Sequence, residues 1–246
     1  SRFWIFIFFF ISGFTGLIYE VVWTRLLTRV MGNTHYSVAT VLTIFMAGLA
    51  LGSYLGGRWI DRKSNPLVLY AALEAIIGIY CLLVPFIIEW ASPLFQWVFL
   101  TQQESYTQAS TYRFLICGLI LLFPTSCMGA TLPVLSKHIS RESIFVSRDV
   151  GTLYSFNTFG AVFGALSSTF LFMRLFGVLN TIWISAALNI GIALVIFILF
   201  YPRIVKGGEE SGAKKEEFKL NNHTIPVLLA FGFSGLCALT YQVAWN

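Results

Sequence analysis

Six apolar stretches, each long enough to cross a bilayer, follow one another with only short polar breaks. They run Phe3 to Trp23, Tyr36 to Ile60, Pro66 to Trp90, Tyr112 to Leu135, Val150 to Phe176 and Leu179 to Tyr201. About 20 apolar residues in a helix span ~30 Å of hydrocarbon. In that medium no water satisfies a bare backbone amide, so a spanning segment must be a helix or part of a closed barrel. Continuous apolar runs of this length, without strict alternation, predict helices. Composition agrees: 57% of residues are hydrophobic, only 11% are charged, Phe occurs 24 times and mean hydropathy is +0.77. A soluble domain carries roughly 25% charged residues. The expected fold class is therefore an all-α integral membrane protein of six helices, with a seventh helix begun at Ile225. Phe3 to Tyr19 continues into Glu20 and Trp23 with no small-residue cleavage site, so it reads as a retained helix rather than a signal peptide.

The chain also repeats its opening. Ser12-Gly13-Phe14-Thr15-Gly16-Leu17-Ile18-Tyr19-Glu20-Val21-Val22-Trp23-Thr24 aligns without a gap on Ser234-Gly235-Leu236-Cys237-Ala238-Leu239-Thr240-Tyr241-Gln242-Val243-Ala244-Trp245-Asn246, with six identities. So long an offset excludes a solenoid but suits a duplicated bundle of membrane helices. The expected organisation is a first bundle over residues 1–201, a charged linker over 202–222, and the start of a second repeat over 223–246. The second copy stops in mid-helix, which predicts one complete half followed by a stump of the next. A shorter polar loop, Gln102 to Thr111, is expected between the third and fourth spans.

Charge sets the expected orientation. Of 16 Lys and Arg, only Arg25, Arg29, Arg113 and Arg174 fall on one side of the predicted spans. Arg2, Arg58, Arg62, Lys63, Lys137, Arg141, Arg148, Arg203, Lys206, Lys214, Lys215 and Lys219 fall on the other. The positive-inside rule then places the amino terminus and the central linker in the cytoplasm of a multi-pass protein of the inner or plasma membrane. Basic residues distributed in this way beside spans point to lipid, not nucleic acid. Cys81, Cys117, Cys127 and Cys237 all lie in apolar stretches and form no CxxC pair, and His35, His138 and His223 are scattered. No metal ligand set is expected.

Ionisable and amide groups inside the spans are the candidates for function. A charged side chain at the bilayer centre costs about 2.5–3.5 kcal/mol on insertion scales, so it normally faces a packed or wet interior. Glu20 shares a face with Gly13 and Gly16, at i, i+3, i+7, and Glu74 shares one with Ala71, Gly78 and Cys81. Either acid is a cation or proton site, or a structural partner; Arg25 is a possible partner for Glu20. The repeat has Gln242 where the first copy has Glu20. In the fifth span Asn157, Gly160, Ala161, Gly164 and Ser168 form a small, polar stripe. Asn157 there binds substrate or, alternatively, hydrogen-bonds across helices. Gly48, Gly52 and Gly56 make a packing face on the second span. Pro124 and Pro133 free backbone carbonyls in the fourth, as in the broken helices that line transporter cavities or as a kink for packing.

The stretch Gly57-Arg58-Trp59-Ile60-Asp61-Arg62-Lys63, between the second and third spans, resembles the loop motif of the major facilitator superfamily (MFS), although Ser64-Asn65-Pro66 replaces its second glycine. The resemblance makes Asp61 and Arg62 a candidate cytoplasmic gate. Taken with Tyr19-Glu20-Val21-Val22-Trp23-Thr24-Arg25, Phe45-Met46-Ala47-Gly48-Leu49-Ala50-Leu51-Gly52-Ser53, Met128-Gly129-Ala130-Thr131-Leu132-Pro133-Val134-Leu135 and Leu153-Tyr154 with Asn157-Thr158 and Gly160-Ala161, it covers nearly the whole chain in order. Together these stretches look like the membrane region of the fused MFS/spermidine-synthase proteins. That resemblance implies a six-helix MFS-like bundle, with a C-terminal membrane repeat and a soluble synthase-like domain further along the same protein. The soluble domain would transfer an aminopropyl group from decarboxylated S-adenosylmethionine, as co-substrate, to putrescine, giving spermidine. Residues 1–246 supply neither a nucleotide loop on an α/β sheet nor a soluble acidic amine site, so no catalytic residue and no cofactor are expected in this stretch.

Two functional readings stand at this point. In one, the chain is the membrane half of such a synthase, anchoring it and binding or moving polyamines through Glu20 and Glu74. In the other it belongs to a stand-alone MFS-type secondary transporter without an enzymatic domain. A purely structural anchor is the third and plainest possibility.

Overall fold

The computed structural model is all-helical and describes residues 2–32, 34–60, 65–101, 106–140, 146–206 and 224–244. Six helices make up one compact unit: α1 (Arg2–Met31), α2 (Thr34–Ile60), α3 (Pro66–Thr101), α4 (Tyr106–Ser140), α5 (Val146–Ser167) and α6 (Met173–Lys206). A π-helical segment, Ser168–Phe172, joins α5 to α6. The second unit carries α7 (Thr224–Ala244), which begins where the sequence placed the seventh span.

Among the described residues, five uninterrupted stretches are long and apolar enough to cross a membrane, and the fifth, Val146–Leu199, is 54 residues long. A straight helix of that length would be about 80 Å, far beyond one bilayer crossing. Gly177 breaks it: with φ 78° and ψ 176° it leaves helical geometry where the sequence placed the boundary between the fifth and sixth spans. Only glycine enters that region without a Cβ clash. Upstream of the break, the Ser167 hydroxyl donates to the Phe163 carbonyl and the Ser168 hydroxyl to that of Ala165. Such back-bonding competes for helix acceptors where the turn widens.

Several boundaries differ from expectation. The expected loop Gln102 to Thr111 is helical from Tyr106 onward, and α6 runs through Pro202 to Lys206 rather than ending at Tyr201. Polar residues continue a helix readily once it has left the hydrocarbon, so hydropathy marks the membrane edge and not the helix end. The prolines of α4 do not break it either, since Pro124 and Pro133 both lie inside one continuous helix. Pro124 has no N–H for the carbonyl of Ile120, four residues back. The Tyr80 hydroxyl of α3 donates to that carbonyl instead, at 3.0 Å.

Glycine decides which helices meet. A Cβ on Gly52 would run into the Ser126 backbone of α4, and one on Gly129 into the Leu49 backbone of α2. Gly160 and Gly164 of α5 stand in the same way against the backbones of Phe10 and Phe14 in α1. Backbones this close gain dispersion contact that larger side chains would prevent. Rings continue the α1–α5 seam: Phe6 meets Phe156 at 5.4 Å, Phe10 meets Phe163 at 6.1 Å and Phe14 meets Phe172 at 6.0 Å between centroids. Both chain numbers rise together, so α1 and α5 run parallel. Gly78 brings α3 against Ala186 and Ile190 of α6. Glycine contacts thus bring α1 to α5, α2 to α4 and α3 to α6, and α3 also packs against α4, where the Tyr80 ring lies 5.2 Å from that of Phe123. The Lys137 ammonium of α4 donates to the Ile60 carbonyl at 2.7 Å, closing the end of α2.

Candidate functional site

Two apolar clusters fill the six-helix unit. One gathers Ile18, Val22, Trp23, Ile77 and Cys81; the other gathers Phe8, Phe9, Leu67, Tyr70 and Ile192. A polar layer lies between them. In α3 the break falls at Glu74, which is fully buried. In α6 it falls at Asn189, 1% exposed, between Ile182 of the first cluster and Ile192 of the second.

These side chains form a relay. The Tyr19 hydroxyl donates to Asn189 Oδ1 at 3.1 Å, and Asn189 Nδ2 donates to Glu74 Oε2 at 2.6 Å. Ser12 and Tyr70 sit beside the same carboxyl group. Among the described residues, Glu74 Oε1 and the Tyr70 hydroxyl oxygen are both buried without a partner in hydrogen-bonding geometry. The Tyr19 ring stacks on Trp23 at 5.6 Å and 16°, which fixes the direction of its hydroxyl. The layer thus ties α1, α3 and α6 together through polar atoms at a depth where an unsatisfied group is expensive.

The candidate residues separate. Glu74 lies at the centre of this layer. Glu20 does not join it; it is half-buried on α1 and, among the described residues, forms no ion pair with Arg25, which is exposed. Five residues of helix turn the two side chains through about 500°, so they do not share a face. Asn157 is half-buried, against Gly13. It lines a cavity of about 220 Å³ with Ser12, Gly16, Ser53, Thr131 and Tyr154, between α1, α2, α4 and α5. No hydrogen bond from its side chain forms among the described residues. Asp61 and Arg62 lie outside the described residues. Of the packing stripes, Gly48, Gly52 and Gly56 do face α4, against Thr125, Ser126 and Ala130.

Sequence reasoning missed Asn189, Tyr19 and Tyr70 as polar partners. Asn189 sits alone in the apolar run Ala186-Ala187-Leu188-Asn189-Ile190-Gly191, and a lone amide in such a run is a signal that was there to be read. The tyrosines gave none, because a membrane tyrosine reads equally as an interfacial ring.

The chain is distantly similar to two polyamine aminopropyltransferases. It is 21% identical over 194 residues to the "Polyamine aminopropyltransferase" of Oceanobacillus iheyensis, covering 79% of this chain and 35% of that protein. It is 24% identical over 217 residues to "Polyamine aminopropyltransferase 1" of Streptomyces coelicolor, covering 86% of this chain and 38% of that protein. The chain thus spans little more than a third of the length of these relatives. No family model and no solved structure matches it.

Proposed function

We propose that this chain is the membrane bundle of a polyamine aminopropyltransferase-like protein of the fused MFS/spermidine-synthase kind. In this reading the bundle holds a synthase-like domain at the inner or plasma membrane. That domain transfers the aminopropyl group of decarboxylated S-adenosylmethionine to putrescine. The bundle itself supplies a cation-binding face for polyamines. The similarity to two aminopropyltransferases over most of the chain supports the family part of the reading.

One observation carries the cation-binding part. Glu20 is an acid at membrane depth with no cationic partner among the described residues; it does not itself line the cavity, but it lies one turn beyond Gly16, which lines it with Ser12 and Asn157. A carboxylate there favours a cation by charge, and the hydroxyl and amide groups offer acceptors for ammonium hydrogens. Glu74, held by Asn189 deep in the bundle, is assigned a structural role instead. The test is binding of labelled putrescine and spermidine to the full-length protein. Glu20→Gln should lower affinity about tenfold while elution on gel filtration stays unchanged. Unchanged affinity in a folded Glu20→Gln protein removes the residue from the site.

The orientation belongs to the same proposal: Arg62 and Lys214 in the cytoplasm, Gln103 outside. Cysteines placed at these positions report it in intact cells. An impermeant reagent labelling the first two and not the third would reverse it.

The cavity lined by Ser12, Ser53, Thr131 and Asn157 between α1, α2, α4 and α5 favours a second reading, in which the bundle is half of a secondary transporter. Uptake of labelled polyamine by cells expressing the full-length protein, abolished by Glu20→Gln, would favour transport over anchoring.

A further inference from the structure

At the end of the bundle where α1 and α3 finish and α4 begins, a cavity of about 490 Å³ opens, and two arginines from different helices line it. Arg29 comes from the last turn of α1 and Arg113 from the second turn of α4. Ser92 and Gln96, one turn apart on α3, add neutral hydrogen-bonding groups. No carboxylate lines the cavity among the described residues. Glu89 is exposed one turn below Ser92 and is not part of the wall.

Two guanidinium groups sharing one cavity repel each other. Arg29 has a partial offset in the carbonyl end of α1. Arg113 lies over the Phe99 ring, 6.0 Å from its centroid, and among the described residues its N–H groups have no hydrogen-bond partner. The pair therefore presents two sets of guanidinium donors, one held by a ring, with no carboxylate beside them among the described residues, an arrangement suited to a tetrahedral oxyanion. The rest of the wall is apolar: Phe95 is buried, and Phe99 and Leu100 are exposed. Trp90 and Trp97, both exposed on the same stretch of α3, have the character of an interfacial aromatic belt. A cavity at headgroup depth, cationic on one side and apolar on the other, fits an amphiphile rather than a free ion.

We propose that this cavity binds an anionic phospholipid, with the headgroup phosphate between Arg29 and Arg113 and an acyl chain along Phe95, Phe99 and Leu100. Ser92 and Gln96 hydrogen-bond the remaining headgroup oxygens. The proposal is independent of the polyamine reading, since it uses none of the residues assigned there.

Native mass spectrometry of the full-length protein, released from nanodiscs containing equal phosphatidylglycerol and phosphatidylcholine, tests it. Retained phosphatidylglycerol should exceed phosphatidylcholine about tenfold. Arg29→Gln with Arg113→Gln should bring the ratio close to one. Arg174→Gln removes an exposed arginine outside the cavity and should leave the ratio unchanged. Should the double variant fail to fold, Gln96→Glu keeps both arginines, sets a carboxylate against the phosphate, and should lower the ratio several-fold. Three results would overturn the proposal: an unchanged ratio in the folded double variant or in Gln96→Glu, an equal loss in Arg174→Gln, or full displacement of the lipid by millimolar inorganic phosphate. The last outcome would assign the cavity to a free anion.

Discussion

Asn189 of α6 reaches Glu74 of α3 across 115 residues of sequence and donates to its carboxyl at 2.6 Å, while its own carbonyl oxygen accepts from Tyr19 of α1. One amide thereby fixes the relative height of three helices. Apolar side chains alone would not, because in a bilayer they gain little from one neighbour over another. The close approach depends on Gly78, since a Cβ there would press on Ile190 and on the Ala186 carbonyl.

The first prediction follows from that amide. Glu74→Ala leaves the Asn189 amide buried without an acceptor and should destabilise the bundle by about 1–3 kcal/mol. Glu74→Gln keeps an oxygen in the same place and should cost about 1 kcal/mol or less. Thermal unfolding in detergent distinguishes them. Adding Asn189→Ala to Glu74→Ala should cost much less than the two single effects combined, because the unsatisfied partner is then gone. Additive losses would mean the two side chains are not coupled.

The α2–α4 seam gives the second prediction. Gly52→Val places a branched side chain into the Ser126 backbone and should abolish the folded species on gel filtration. Gly118 of α4 has open space where its Cβ would be, so Gly118→Ala should be neutral or stabilise by up to ~1 kcal/mol through helix propensity. A folded Gly52→Val protein would show that the seam is looser than the contacts imply.

Much of this architecture is legible in the residues. Run length and hydropathy mark the helices, and glycine spacing marks the α2 face that meets α4. Gly177 stands where the chain has to turn. Helix ends were less legible: Tyr106 to Thr111 is polar yet helical, and α6 runs on through Pro202 to Lys206 with its two charges, because hydropathy reports the solvent and not the backbone. Partnership within the polar layer was least legible. Glu74 could be singled out by its charge, but only the packing of α6 against Gly78 brings Asn189 to it, and no local pattern encodes a contact between such distant positions. The separation of Glu20 from Glu74 has the same origin, since the two acids look alike until the burial of each is known.

A third prediction concerns the end of α2. Lys137 puts a positive charge on the Ile60 carbonyl, where the helix dipole is negative. Lys137→Met should cost about 0.3–1 kcal/mol in thermal unfolding, whereas Lys137→Arg, which keeps charge and donors, should recover most of it. Equal losses in both would show that the alkyl stem, rather than the charge, matters here.

The last prediction tests how α4 carries a proline without breaking. Pro124 removes the amide hydrogen that would have reached the Ile120 carbonyl, and Tyr80 supplies a hydroxyl in its stead at 3.0 Å. Tyr80→Phe should therefore strand that carbonyl and destabilise the protein by about 1 kcal/mol. Ring packing should change little, because Phe keeps the Tyr80 contact with Phe123, at 5.2 Å between centroids. Pro124→Ala restores an N–H to the helix, so in its background the Ile120 carbonyl no longer needs the hydroxyl. Tyr80→Phe should then be nearly silent, and the coupling between the two substitutions should approach the full effect of the single Tyr80 change. If Tyr80→Phe costs the same in both backgrounds, the hydroxyl is not compensating for the proline, and the helix satisfies Ile120 in another way.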